Sequence, residues 1–161
     1  MDFFKGFAPF FDGDSVLLIL GSFPSVKSRK EGFYYGNPQN AFWRTVCGYF
    51  GEGVPLSVDD KKAFLKRRPI ALWDVVTACR IDGSKDNSIQ DEVIADIEGL
   101  IANSGIKTIF CNGSKSFELL EREFPALLPI AQKLPSTSPA NPRFSVEVWH
   151  RALDGVFYDN V

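Results

Sequence analysis

The sequence predicts an α/β protein, a three-layer α/β/α sandwich built on a central four-stranded parallel sheet. Three observations carry that prediction. Four short apolar runs bounded by Gly, Pro, Ser or Asn have the length and continuity of strands buried on both faces. The stretches between them repeat their apolar residues at threes and fours, the spacing of amphipathic helices. Strand and helix alternate, and such a chain buries its strands as a parallel sheet with helices on either side.

The first run, "SVLLILGS" (residues 15–22), is ended by Gly21 and is the clearest strand. "PIALWDVV" from Pro69 and "IKTIFCNG" from Ile106 follow, with the weaker "PIAQKLPS" from Pro129. Helices are predicted over about residues 39–49, 58–67, 89–104, 115–123 and 143–153. For the third, Asp86 or Ser88 supplies a cap, Ile89, Val93, Ile94, Ile97, Leu100 and Ile101 supply the apolar face, and Gly105 ends the helix. Ser114 is placed to cap the next, and Pro142 to begin the last.

At 161 residues, 45% of them hydrophobic, the chain suits one domain, residues 1–161. No apolar run approaches the roughly 20 residues of a membrane helix, and "MDFFKGFAPFFDGD" lacks a basic leader and cleavage site, so a cytoplasmic protein is expected. Cys47, Cys79 and Cys111 are odd in number and far apart, which fits buried thiols rather than a disulfide framework or a metal site. A formal charge of −2 argues against indiscriminate attraction to nucleic acid. Acid-free stretches stand out against it: residues 15–30 hold Lys27, Arg29 and Lys30, and residues 124–146 hold Lys133 and Arg143.

Ligands of open parallel sheets bind beyond the carboxyl ends of the strands. The loops there read "GSFPSVKSRKEGFYYGNPQN", "DVVTACRIDGSKDNS", "NGSKS" and "STSPANPR". None is a GxGxxG or GxxxxGK[ST] phosphate loop. The only histidine, His150, falls in the last helix, away from any nucleophile. What these loops offer is aromatic faces, neutral amides and hydroxyls, the furniture of a nucleobase pocket. In "EGFYYGNPQNAFW", Phe42 and Trp43 suit the core face of a helix, whereas Tyr34 and Tyr35 stand before Gly36 and Pro38, where a binding role explains them better. Asp74 and Asn112 close the second and third runs, each able either to read a purine edge or to cap a turn.

Four segments in this order, "LILGSFPS", "YYGNPQNAFW", "LWDVVTACRIDGSKDNSI" and "STSPAN", resemble the uracil-DNA glycosylase superfamily, and most closely its hypoxanthine-DNA (deoxyinosine) glycosylase family. With "IFCNGSKS" they span residues 15–145. The resemblance implies hydrolysis of an N-glycosidic bond after base flipping, with no cofactor and no metal. Three departures separate the chain from uracil-specific members. Phe23 stands where the water-orienting Asp or Asn is usual, Ser136 where the histidine stands, and Asp74 where the uracil-reading asparagine stands.

The catalytic residue implied is Asn40, with Asn37 its near competitor. Phe23, Tyr35, Asn37, Asp74 and Asn112 are implied for the base, and Ser22, Ser25, Ser136, Ser138, Pro139, Ala140, Asn141 and Arg143 for DNA. The implied partner is damaged double-stranded DNA, or single-stranded DNA, engaged by a monomer.

Overall fold

The computed structural model describes residues 2–158, so of the domain expected over residues 1–161 only Met1 and the last three residues lie outside the described part. In chain order the elements are β1 (Phe3–Lys5), β2 (Leu17–Gly21), α1 (Val26–Glu31), α2 (Phe42–Tyr49), α3 (Val58–Arg67), β3 (Ile70–Asp74) and β4 (Val76–Arg80). A 3₁₀ turn at Asp86–Ser88 leads to β5 (Gln90–Ile94), α4 (Ile97–Ala102), β6 (Thr108–Asn112) and α5 (Ser114–Glu123). Another 3₁₀ segment, Pro125–Ile130, precedes β7 (Ala131–Leu134) and α6 (Val146–Phe157).

Strands β3, β2, β6 and β7 form the four-stranded parallel sheet in that order. Successive residues of a strand face opposite sides, and β2 sorts its side chains accordingly. Leu17 and Ile19 join Phe42, Phe64 and Trp149 under α2, α3 and α6, while Leu18 and Leu20 join Ile97, Leu100, Leu119 and Leu120 under α4 and α5. Burial on both faces is why the run reads as unbroken apolar sequence. The parallel register sets Gly21 beside Asp74, Leu20 beside Cys111 and Asn112 beside Leu134, so the carboxyl ends of all four strands meet at one edge.

Three features depart from the sequence reading. The run from Pro69 divides at Val75: Val75 and Val76 donate to the carbonyls of Gly21 and Ser22, and the chain turns into β4. There it pairs antiparallel with β1 and β5 in a second sheet that the alternating pattern did not announce. The helix expected over residues 89–104 is instead strand β5 followed by the short α4. Both of its supposed caps are engaged elsewhere, Asp86 by Ser22 Oγ at 2.5 Å and Ser88 Oγ by the Asp82 N–H at 2.9 Å, and Asp96 caps α4 through the Gly99 N–H. Val93 and Ile94 then serve the ladder with β4, where β-branched residues pack well. Finally, α1 occupies what reads as loop, begun by Ser25 capping the Ser28 N–H and ended by Gly32 at φ 85°.

Trp149 ties the core to the active edge. It is fully buried, edge-on to Phe42 and Phe110, and its Nε1–H donates to the Pro135 carbonyl at 2.8 Å, anchoring the loop after β7. Trp149→Phe keeps most of the apolar surface but orphans that carbonyl and shortens the ring, a loss expected to lower stability by roughly 1–3 kcal/mol. Urea unfolding checks it: the midpoint should fall with an unchanged slope, and an unaltered midpoint would show that the anchor contributes nothing.

Candidate active site

A cleft of about 760 Å³ opens at the carboxyl edge of the sheet. Asn40, Phe23, Tyr35, Asn37, Asp74, Asn112, Ser22, Ser25, Ser136, Ser138, Pro139, Ala140 and Asn141 all line it. Arg143 does not; its N–H donates to Asn141 Oδ1 at the far end of the loop after β7. Sequence reading missed Ser84, Lys85, Asp86 and Asn87, whose turn forms another wall, and Thr137. The signal was present in "GSKDN", a polar stretch after the second run, but its Asp86 was assigned to helix capping.

The floor is built on Gly21. A side-chain carbon there would run into Asp74 Oδ1, so only glycine lets the Asp74 carboxyl lie across the end of β2 beside the Tyr35 hydroxyl. Asp74 is 5% exposed, and neither its Oδ2 nor Tyr35 Oη has a hydrogen-bond partner among the described residues. Burial, followed by the negative charge of Asp86, raises the Asp74 carboxyl to about 8, so at neutral pH it is predominantly the protonated acid. Burial and the Asp74 carboxyl push Tyr35 far above the ordinary phenol range, which keeps it an O–H donor.

Tyr35 itself is strained. Its φ of 55° is left-handed backbone, which costs a non-glycine residue roughly 1 kcal/mol or more. Stacking on Phe42, with centroids 4.1 Å apart and planes 22° apart, offsets it and aims the phenol at the floor. The other rings of this segment pack into the core, Tyr34 while also lining the cleft. Tyr34, for which the sequence suggested binding, is buried edge-on to Phe7 and Phe33, with its hydroxyl donating to the Ala8 carbonyl at 2.7 Å. Trp43 donates through Nε1 to the Tyr34 carbonyl at 3.1 Å.

Phe23 forms a wall, 8% exposed, with the Arg29 guanidinium 5.5 Å from its ring centroid. Asn40 Oδ1 accepts from the Phe42 N–H at 2.9 Å, closing a turn at the entrance to α2 while lining the cleft; a second lone pair and the amide N–H groups remain for a ligand. Asn37 Oδ1 caps its own turn through the Gln39 N–H. Asn112 is committed to the opposite loop, donating to Thr137 Oγ1 at 2.9 Å and accepting from the Thr137 N–H at 3.0 Å.

The loop after β7 is held by its own side chains. Ser136 Oγ accepts from the Ser138 N–H, Ser138 Oγ from the Ala140 N–H, and Asn141 Nδ2 donates to the Ser136 carbonyl. The Ala41 N–H donates to the Thr137 carbonyl at 2.9 Å and joins this loop to the Asn40 segment. Both serine oxygens accept, so their O–H groups stay available to phosphate oxygens. Ser22 and Ser25 are engaged internally, by Asp86 and by the start of α1.

His150 lies on α6 outside the cleft, with Nε2 3.0 Å from the Thr45 carbonyl. All three cysteines are buried, and burial pushes their thiols up to about 11 for Cys47 and Cys79 and about 12 for Cys111, far from thiolate nucleophiles. Among the described residues, no group of three His, Cys, Asp or Glu side chains is placed to hold a metal ion, and no helix is long and apolar enough to cross a membrane. Lys85 is the only cation in the lining, and it pairs with Asp82 at 3.3 Å. The cleft therefore suits a flat, uncharged ring carrying both donors and acceptors.

Comparison with known proteins agrees with this chemistry. The family model for the uracil DNA glycosylase superfamily matches residues 8–152. A hypoxanthine DNA glycosylase of Methanosarcina acetivorans is 40% identical over 143 residues, covering 88% of this chain and 90% of the relative. One of Methanosarcina barkeri is 37% identical over 116 residues, covering 71% and 73%. An NMR solution structure of a Methanosarcina acetivorans protein, described as a candidate uracil DNA glycosylase, superposes with a TM-score of 0.83 at 36% identity over 96% of this chain and 99% of that one. Sequence order, fold and cleft together assign the chain to the uracil DNA glycosylase superfamily.

Proposed function

We propose that the protein is a DNA repair glycosylase that flips hypoxanthine out of deoxyinosine-containing DNA and hydrolyses its N-glycosidic bond, leaving an abasic site. The observation that carries this reading is the pair of orphaned polar atoms on the cleft floor, Asp74 Oδ2 and Tyr35 Oη, in a chain similar to proteins named for hypoxanthine.

Hypoxanthine presents an N1–H next to a C6 carbonyl. A protonated carboxyl complements that edge, accepting from N1–H through one oxygen and donating to O6 through the other, whereas a carboxylate would repel O6. As the C1′–N9 bond breaks, its electron pair passes to the purine and charge builds on O6, where an O–H donor stabilises it. Phe23 supplies a face for the ring. Asn40, through the carbonyl lone pair not used by the Phe42 N–H, positions the water whose oxygen bonds to C1′ and whose proton passes to solvent.

Ser136, Ser138, Asn141 and Arg143 hold the strand by its phosphates, while Pro139 and Ala140 occupy the space the base vacates. Flipping costs a few kcal/mol, least where pairing is already weak, so a mispaired duplex is the proposed substrate. The proposed enzyme acts in the cytoplasm as a monomer of one domain.

Oligonucleotides carrying inosine, uracil or xanthine, treated with the protein and then with alkali, test the reading: scission is expected at inosine, and binding without scission on every substrate would overturn it. Asn40 is tested by two variants. Both Asp and Asn close such turns, so Asn40→Asp should keep the fold, whereas Asn40→Ala should lower the melting temperature by an amount equivalent to about 1 kcal/mol. Single-turnover cleavage should drop about 100-fold or more in Asn40→Ala, the size of one lost preorganised contact. A less stable but fully active Ala variant would confine Asn40 to the turn.

Asp74 gives a pH signature. The acid form is the active one, so single-turnover cleavage should fall as pH rises through about 8. Stability responds with the same sign. The folded carboxyl titrates above its unfolded value of about 4, so the folded state binds more protons between about pH 4 and 8, and stability declines across that window. Asp74→Asn should remove the decline, melting higher than wild type at pH 8 while cleaving inosine more slowly; urea titrations at pH 5 and pH 8 measure it.

A further inference from the structure

The turn between β4 and β5 carries a carboxyl that the scheme above leaves without a task. Asp86 lies on the wall of the cleft, and its Oδ1 accepts from Ser22 Oγ at 2.5 Å. Ser22 follows Gly21, the residue over which Asp74 lies, so the two carboxyls meet adjacent residues at the same end of β2. The turn is pinned in place: Ser84 Oγ accepts from the Val26 N–H at 2.9 Å, and Arg29 Nη2 donates to the Gly83 carbonyl at 2.7 Å.

We propose that Asp86 is a positioning residue of this glycosylase: fixed by Ser22 as the standing negative charge of the cleft, it makes Asp74 the proton donor to the departing purine. The proposal rests on the reading of Asp74 given above. Two carboxyls at one site divide into an acid and an anion when their surroundings differ. Asp74 is buried with an unpartnered oxygen, whereas Asp86 is open to water on one side, receives the Ser22 hydroxyl and faces Lys115 at the start of α5. Burial raises Asp86, but Ser22 and Lys115 draw it back toward the ionised form. Tyr34 and Tyr35 from the segment before α2 face Asp74 as neutral phenols, which its carboxyl raises, and among the described residues Asp86 from the turn is the charged group that raises Asp74 itself.

In the step itself, C1′–N9 breaks, its electron pair moves onto the purine, and the Asp74 proton passes to that purine. Water bonds to C1′ and releases a proton to solvent, from which Asp74 is reprotonated. Asp86 exchanges no proton, and its charge sets the pH above which Asp74 can no longer donate.

Asp86→Asn preserves an acceptor for Ser22 and removes only the charge. Single-turnover cleavage of inosine DNA should then lose its alkaline limb at a pH lower by about half a unit or more, the neighbour being partly screened by water, while cleavage at pH 6 stays within about threefold of wild type. Asp86→Ala, which also frees Ser22, should depress cleavage at every pH. Asp74→Asn serves as the control. If it abolishes the limb and Asp86→Asn leaves the limb where it was, this proposal is overturned while the reading of Asp74 stands. If Asp74→Asn keeps the limb, the reading of Asp74 falls and this proposal with it.

Discussion

The cleft depends on one steric fact, the missing side chain at Gly21. Parallel pairing brings the end of β2 alongside the end of β3, and without a Cβ at Gly21 the Asp74 carboxyl can close over the strand terminus beside the Tyr35 phenol. This close packing strips water from Asp74 and leaves its Oδ2 unpaired. An unsatisfied buried oxygen costs roughly 1–3 kcal/mol. A fold retains such a defect where a ligand satisfies it, and a lactam edge supplies the donor and acceptor that the protein withholds.

A second constraint is the conformation of Tyr35. Its left-handed backbone points the phenol inward, and the chain on either side is fastened to hold it. Upstream, Tyr34 is locked by the Ala8 carbonyl, and immediately downstream the Gly36 N–H donates to Ser28 Oγ, linking the segment to α1. Downstream, Phe42 meets the Tyr35 ring and is itself packed against Trp149. The aromatic density of "EGFYYGNPQNAFW" therefore divides by role: Phe33, Tyr34, Phe42 and Trp43 form a rigid support, and Tyr35 alone presents a polar group to the cleft floor. The same Trp149 anchors Pro135, so one ring system fixes both the base-facing segment and the loop proposed to meet the backbone.

The parallel sheet and its active edge were legible in the sequence because strands buried on both faces write themselves as continuous apolar runs ended by Gly, Asp or Asn. The second sheet was not. Strand β5 has no buried residue, and the spacing of Ile89, Val93, Ile94 and Ile97 fits a helix as well as it fits a strand running into a short helix. Only pairing with β4, a contact between segments separated along the chain, decides between them. The same misreading hid the turn at Asp86: a residue taken for a helix cap reaches Ser22, 64 positions away. In the cleft, residue types were readable, but Asn112 shows what was not. Its amide could face a purine or a neighbouring loop, and the separation of β6 and Thr137, set by the packing of β7, gives most of it to the loop.

These committed amides explain how a chain of net charge −2, with one paired lysine in its cleft, is suited to DNA. Phosphate attraction by cations is long-ranged and indifferent to sequence. This molecule instead presents hydroxyl hydrogens from a loop whose backbone is already satisfied, so little conformational freedom is lost on contact. Weak general attraction lets the protein leave undamaged DNA readily. In the proposed reading, retention falls to the cleft, where an aromatic face and a protonated carboxyl interact only with a base that has left the stack, and so discrimination resides in the flipped state rather than in the initial encounter.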